Sequence, residues 1–220
     1  MGKKIGLKQM TQKVYNEVVG LSAEMKASLG DIEDAFDMIC WGDSGNGKTN
    51  FNLEVVAQLC TALDCKAVYV SWEEGHGKSL RDALIRHNLL ERIGNRLEIL
   101  DGGTFEEVKA IIAKRKSAKI WVFDSIQASE WTQHQCAELK KDFVLSRKKK
   151  IFLYVSWAQG KFPKGATAES VKFYANIKVW VEKFIAFPTG RYGGNKNYII
   201  WPDGAVKRWG KKLFNKHKNS

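Results

Sequence analysis

Between Gly42 and Thr49 the sequence reads G-D-S-G-N-G-K-T, and these residue types at these spacings are suited to holding a polyphosphate. Gly42 and Gly47, with Gly45 between them, let main-chain N–H groups turn inward around phosphate oxygens. Lys48 can neutralise charge on β- and γ-phosphates, and the Thr49 hydroxyl is suited to ligating Mg²⁺. Asp43, Ser44, Asn46 and Asn50 complete the candidate cradle. Two carboxylates downstream extend the chemistry. Glu73, with Glu74 beside it, ends the apolar run at 67–72, where a carboxylate can orient water against a γ-phosphate. Asp124 ends the run at 119–124, where it can hold a water of the Mg²⁺ shell. The alternatives are an ordinary strand-to-helix turn at 42–49 and solvated loop acids at 73–74; His76 reads as a loop residue.

Positioning these groups requires strands that end where the groups begin. Phe36, Met38, Ile39, Cys40 and Trp41 predict a buried strand running straight into the glycine loop. Phe51, Val55 and Leu59, with Leu53, Val56 and Cys60 beside them, predict a helix to about Leu63, whose N-terminus faces the phosphate. Further strands are expected at 67–72, 96–100, 119–125 and from 151, and helices at 80–90, from a Thr104/Glu107 capping box to about 116, and at 130–147. In an open parallel sheet ligands bind at the carboxyl ends of strands, which is where Glu73 and Asp124 fall. Strands are then expected at 177–187 and 198–201, with a turn at 202–204 and a returning strand at 205–209. That run of strands predicts antiparallel additions at one edge of an α/β sheet.

Composition narrows the function classes. The chain has 220 residues with 36 Lys and Arg against 24 Asp and Glu, a formal net charge of +12. Such a balance favours polyanionic partners, although a basic surface can also serve solubility alone. No run approaches the roughly 20 apolar residues that span a bilayer, and the start of the chain lacks the apolar core of a secretion signal. Cys40, Cys60, Cys65 and Cys136 match no paired zinc spacing and read as reduced structural thiols. An intracellular, cytoplasmic protein without a membrane partner is therefore expected.

Residues 160–174 mix Lys161, Lys164 and Lys172 with Phe162, Phe173 and Tyr174, just after Trp157. Lysines that track phosphates and rings that stack on bases suit single-stranded nucleic acid; the other reading is a surface loop with core anchors. Ser156 and Gln159, near the exit of the strand from 151, can sense a γ-phosphate or merely satisfy local backbone. Val14, Val18, Leu21 and Met25 stand at helical spacing in an N-terminal extension suited to packing on the domain or on a neighbouring subunit. The C-terminal tail is strongly basic and is expected to be loosely ordered.

With a phosphate loop, a Glu-bearing strand and an Asp-bearing strand in that order, the chain resembles the RecA-like ATPases. The resemblance is closest to the RadA-like core, where the second strand ends in Ser-x-Glu-Glu, here Ser71 to Glu74, and the third runs into Asp-Ser-Ile-Gln, here Asp124 to Gln127. It covers roughly residues 35–200. It implies a RecA-like P-loop fold with a mainly parallel central sheet, ATP and Mg²⁺ as ligands, Glu73 as base, Asp124 as magnesium acid, and a homo-oligomeric ring or filament. It also implies a basic finger reaching the next subunit's site; Arg191, Tyr192 and Gly193 match half of that pattern, with Thr189 at its lysine position, and a surface arginine is the alternative. The implied organisation is an N-terminal helical extension at 1–30, an ATPase core at 31–209 and a basic tail at 210–220. The zinc module and protease-like domain of RadA-like proteins have no counterpart here, so the chain is similar to short phage-type RecA-like ATPases linked to recombination. The expected function is ATP hydrolysis coupled to single-stranded DNA in recombination, repair or replication. The alternative is a KaiC-like protein whose ATP-dependent assembly acts on a protein partner. A small-molecule kinase would need an acceptor pocket and an arginine-rich lid, for which the sequence offers no convincing candidate.

Overall fold

The computed structural model describes residues 4–218. Two short helices, α1 (Leu7–Thr11) and α2 (Ala23–Leu29), precede strand β1 (Asp37–Trp41) and the long helix α3 (Lys48–Ala62). Then come β2 (Ala67–Ser71), α4 (Lys78–Arg86), α5 (Leu89–Ile93), β3 (Leu97–Asp101), α6 (Phe105–Ala113), β4 (Ile120–Asp124), α7 (Ile126–Ser129) and α8 (Gln133–Leu139). Strand β5 (Ile151–Ser156) leads into a small hairpin, β6 (Ala158–Gln159) and β7 (Phe162–Pro163), and helix α9 (Ala166–Tyr174). The chain closes with β8 (Ile177–Glu182), β9 (Ile185–Gly190), β10 (Tyr198–Ile199), α10 (Pro202–Trp209) and α11 (Lys211–Lys218).

Eight strands form one sheet in the order β10-β9-β8-β1-β5-β4-β2-β3. The six from β8 to β3 are parallel, and β9 and β10 add antiparallel at one edge. Strands β1, β2 and β5 are buried at every residue, as expected where helices cover both faces of a parallel sheet. Alternation sorts their side chains. Met38 and Cys40 pack with Phe51, Val55 and Leu59 of α3 on one face, while Ile39 and Trp41 pack with Val108, Leu139 and Val171 from α6, α8 and α9 on the other. Because all the central strands point one way, the loops after β1, β2, β4 and β5 leave from the same edge.

Charge is buried at the opposite edge. Asp37, fully buried at the start of β1, meets Lys140 Nζ at 2.9 and 2.8 Å, and that ammonium also donates to the Tyr174 carbonyl at 2.7 Å. The Asn176 backbone N–H donates to the same carboxylate at 3.0 Å. The entry of β1 is thereby tied to α8 and to the α9–β8 junction.

Several elements depart from expectation. The 160–174 segment is a hairpin and a helix rather than a loop, and the helical stretch at 80–90 breaks at Asn88, which adopts φ 50°. Residues 202–209 form a helix, not the returning strand of a hairpin, with Pro202 in its first turn, where a missing N–H costs nothing. The tail expected to be loose is helical through 218: Phe214 is buried against Ile185 and Ala205, and the His217 ring packs on Trp209 at 4.5 Å. The N-terminal segment is joined to the domain by a bridge between Glu17 and Glu33, while Leu7, Val14 and Val19 stay exposed. Residues 1–3 and 219–220 of the expected extension and tail lie outside the described residues.

Helix α3, which carries the phosphate loop, is braced by Glu54. Its carboxylate takes Arg92 of α5 at 2.7 and 2.8 Å and Gln58 at 2.9 Å, with the His87 ring 3.8 Å away. His87, then Arg92 and Gln58, hold Glu54 below the usual carboxylate range, against a burial cost that pushes it up. A lowered folded value means that this stabilisation is complete above the ordinary value of 4.5 and is lost as pH falls below it. Between about pH 6 and about pH 3 the urea midpoint of the natural protein should therefore fall more steeply than that of Glu54→Gln. Parallel profiles would show that the brace contributes no stability.

Candidate functional site

Strand β1 delivers the chain into the glycine loop at a point of very close packing. Gly42 is buried, and a Cβ there would run into the Val181 carbonyl oxygen of β8. Gly47 sits at φ 102°, where an L side chain is strained, and against Phe184 and Ile200 at 3.2 and 3.4 Å from its would-be Cβ. No side chain caps α3, whose first turn closes only with Phe51 N–H donating to the Gly47 carbonyl at 2.9 Å. The leading N–H groups of a 15-residue helix thus face a cleft of about 320 Å³, a setting that favours an anion. Lys48 Nζ donates to the Gly42 and Asp43 carbonyls at 2.8 and 3.2 Å, which holds its ammonium inside the curl of the loop.

The two acids reach the same cleft from β2 and β4, whose ends are level because Ser71 pairs with Asp124. Asp124 accepts a hydrogen bond from Tyr69, fully buried in β2. Burial first, and the neighbouring Glu73 charge, push Asp124 up to about 6, although the Tyr69 bond pulls the other way. Thr49 lines the same cleft as Asp124. A hydroxyl and a carboxylate so placed form an all-oxygen donor set of the kind Mg²⁺ takes together with phosphate and water. The peptide bond between Asp124 and Ser125 is cis. Glu73 Oε1 accepts from both Ser125 Oγ and Trp157 Nε1, which fixes one carboxylate oxygen at the cleft.

Of the residues singled out in the sequence, Ser44, Gly45, Gly47, Lys48, Thr49, Asn50, Glu73 and Asp124 line this cleft together, as does Glu74. Gly42, Asp43 and Asn46 support the loop instead of lining it: Asn46 is buried, its carbonyl accepts from Phe184 N–H at 3.1 Å, and its side chain accepts from Arg208 at 2.9 Å. His76 is exposed, with its ring near the Ile99 carbonyl. Ser156 is buried and joins Gln127 and the Trp157 carbonyl, whereas Gln159 is exposed in the small hairpin. Arg191 is not brought to the cleft. It follows Gly190, which pairs with Ile177 at the start of β8, so it stands at the sheet edge opposite the phosphate loop of its own chain.

Lys161, Phe162 and Lys164 ride on the β6–β7 hairpin, and Lys172 reaches it from α9. The ammonium groups lie over rings: Lys164 over Trp157 at 5.2 Å, Lys161 over Trp180 at 5.7 Å, Lys172 over Trp41 and Phe162 at 4.8 and 4.5 Å. Phe162 and Phe173 are 60% and 86% exposed, which shows that these rings are not core anchors. Gln127 binds the hairpin's base, donating to the Lys164 carbonyl at 2.6 Å and accepting from Trp157 N–H at 3.0 Å.

No protein-family model matches the chain, and no curated sequence does either. Solved structures do match. A KaiC-like protein from the hyperthermophilic archaeon Pyrococcus horikoshii OT3 superposes with a TM-score of 0.58 over 82% of this chain and 89% of that one, at 17% identity. The fold is RecA-like. At that identity the likeness speaks for the architecture alone.

Sequence reasoning passed over Tyr69 and Arg208, and it took Trp157 only as one of the rings beside the basic segment. Tyr69 carried a signal, a phenol between Val68 and Val70 in a buried run; the partners of the other two exist only in three dimensions. Among the described residues no helix is long and apolar enough to cross a membrane. The close approach of Gly42 to β8 predicts that Gly42→Ala costs about 1–3 kcal/mol in urea unfolding, the range for forcing a methyl into packed structure. An unchanged midpoint would mean that the loop does not lie against Val181.

Proposed function

We propose that this chain is a Mg²⁺-dependent ATPase that couples nucleotide turnover to single-stranded DNA, working between like subunits in recombination, repair or replication. The observation that carries the coupling is Trp157, whose indole N–H donates to Glu73 while its ring lies under Lys164 of the exposed basic hairpin. One residue thus joins the acid expected to handle water with the surface expected to handle nucleic acid. Lys48 and the leading N–H groups of α3 hold the phosphates, and Glu73 orients the attacking water. Thr49 and Asp124 would hold Mg²⁺, with Tyr69 fixing the Asp124 carboxylate. That ion, when bound, would supply positive charge against the charge developing on the phosphates. Arg191 stands at the sheet edge opposite its own cleft, a placement that suits a neighbour's site. Lys161, Lys164 and Lys172 meet phosphates, and Phe162 offers a face to a base.

A second reading has its own support. A structural neighbour, the Pyrococcus horikoshii protein, is KaiC-like, and Leu7, Val14 and Val19 are 82%, 87% and 80% exposed on the N-terminal segment, a surface suited to assembly with a protein partner. ATP-dependent growth of the particle by light scattering, with no DNA binding, would favour that reading over the first.

Turnover of ATP should rise with single-stranded DNA, and binding should weaken with salt, the slope falling by about 2 when Lys161 and Lys164 are both changed to Ala. Lys48→Ala and Glu73→Gln should each lower turnover about a hundredfold or more. Trp157→Phe, which keeps a ring but loses the N–H, should bind DNA yet lose most of the stimulation. Unchanged turnover in the first two variants would refute the site; absence of both stimulation and salt-sensitive binding would refute the DNA partner.

A further inference from the structure

Beside the phosphate cleft lies a second cavity of about 510 Å³, walled by Phe184, Ile200 and Trp201 and edged by Asn50, Arg86 and His87. Asn50, Arg86 and Phe184 border both spaces, so the two adjoin at the first turn of α3. Their chemistries differ. The cleft is lined by the phosphate loop and acids, whereas the walls of the second cavity are aromatic and aliphatic. Phe184 and Trp201 meet edge to face with centroids 4.8 Å apart.

These walls are held in register with the cradle. Phe184 N–H donates to Asn46 of the loop at 3.1 Å, and Ile200 N–H donates to the Phe184 carbonyl at 2.9 Å. The Arg208 guanidinium lies 4.7 Å from the Phe184 ring centre and also binds Asn46. Gly204 lets the Trp201 ring lie against α10, since a Cβ there would enter the ring. The polar groups at the rim engage one another: Asn50 Oδ1 is met by the His87 ring at 3.2 Å and by Arg86 at 3.5 Å. An apolar cavity with two aromatic walls next to a phosphate cradle suits a nucleobase. A site that reads a base edge by hydrogen bonds can reject the wrong base by several orders of magnitude, but apolar walls cannot, and stacking tolerates base identity because every base has a π-face.

We infer that this cavity seats the base of the nucleotide held in the cradle and grips purines by stacking without reading their edges, so that GTP is used as readily as ATP. The inference rests on the nucleotide-hydrolase reading above. Its test is steady-state hydrolysis of ATP and GTP by the natural protein, with inorganic tripolyphosphate as a competing probe of the cradle alone, repeated in Trp201→Ala and Trp201→Phe. Expected are kcat/KM values for the two purines within about fivefold, and a KM raised roughly tenfold for both in Trp201→Ala, with tripolyphosphate inhibition unmoved and Trp201→Phe close to the natural protein. A larger preference for either purine, measured without any substitution, overturns the stacking inference. Tripolyphosphate binding as tightly as ATP overturns the base subsite and leaves the cradle intact, whereas neither hydrolysis nor tripolyphosphate binding removes both readings.

Discussion

The start of α3 cannot be capped by a side chain and still face an anion, and much of the surrounding structure follows from that constraint. The chain must leave β1, curl back over its own end and enter the helix with its leading N–H groups turned to the cleft. Gly42 makes the curl possible by lying against the β8 backbone, and Gly47 makes the entry possible at a positive φ. Lys48 anchors the curl from inside through two carbonyls, while Phe184, Ile200 and Arg208 hold it from outside. The C-terminal hairpin and α10 therefore belong to the architecture of the loop as much as β1 does.

The parallel sheet places the acids without further devices. Strands β1, β2, β4 and β5 end at one edge, so the residues that follow them share one cleft whatever the loops between them do. What the sheet does not settle is the orientation of the carboxylates. Tyr69 settles it for Asp124, and Ser125 with Trp157 settles it for Glu73. Each of these supports comes from a different strand or loop than the acid it holds, so a change in the hairpin after β5 is felt at Glu73. That connection is the physical basis of the proposed coupling.

The parts of this arrangement that were legible in the sequence are those written in local pattern. Glycine spacing at 42–47, continuous apolar runs and terminal acids identified β1, β2, β4 and β5, the helix after the loop and the two carboxylates. The misread parts depend on partners remote in the chain. Residues 202–209 looked like a turn and a returning strand because Pro202, Asp203 and Gly204 are turn formers, yet Pro202 suits a helix's first turn and Ala205 and Val206 pack on β9 and β10. The basic tail looked unstructured because its charge is local, whereas its anchors, Phe214 and His217, find Ile185 and Trp209 only once the sheet is built. Arg191 could be singled out by motif, but its place at the far edge follows from the antiparallel turn of β9, which no local pattern reveals.

The most direct test of the central claim is a crystal structure with Mg²⁺ and a non-hydrolysable ATP analogue. The proposed function predicts the triphosphate curled over the start of α3 with Lys48 on its terminal groups, the metal between Thr49 and Asp124, and Glu73 facing the γ-phosphate. Phosphates bound elsewhere, or a metal that leaves Thr49 and Asp124 untouched, would contradict it.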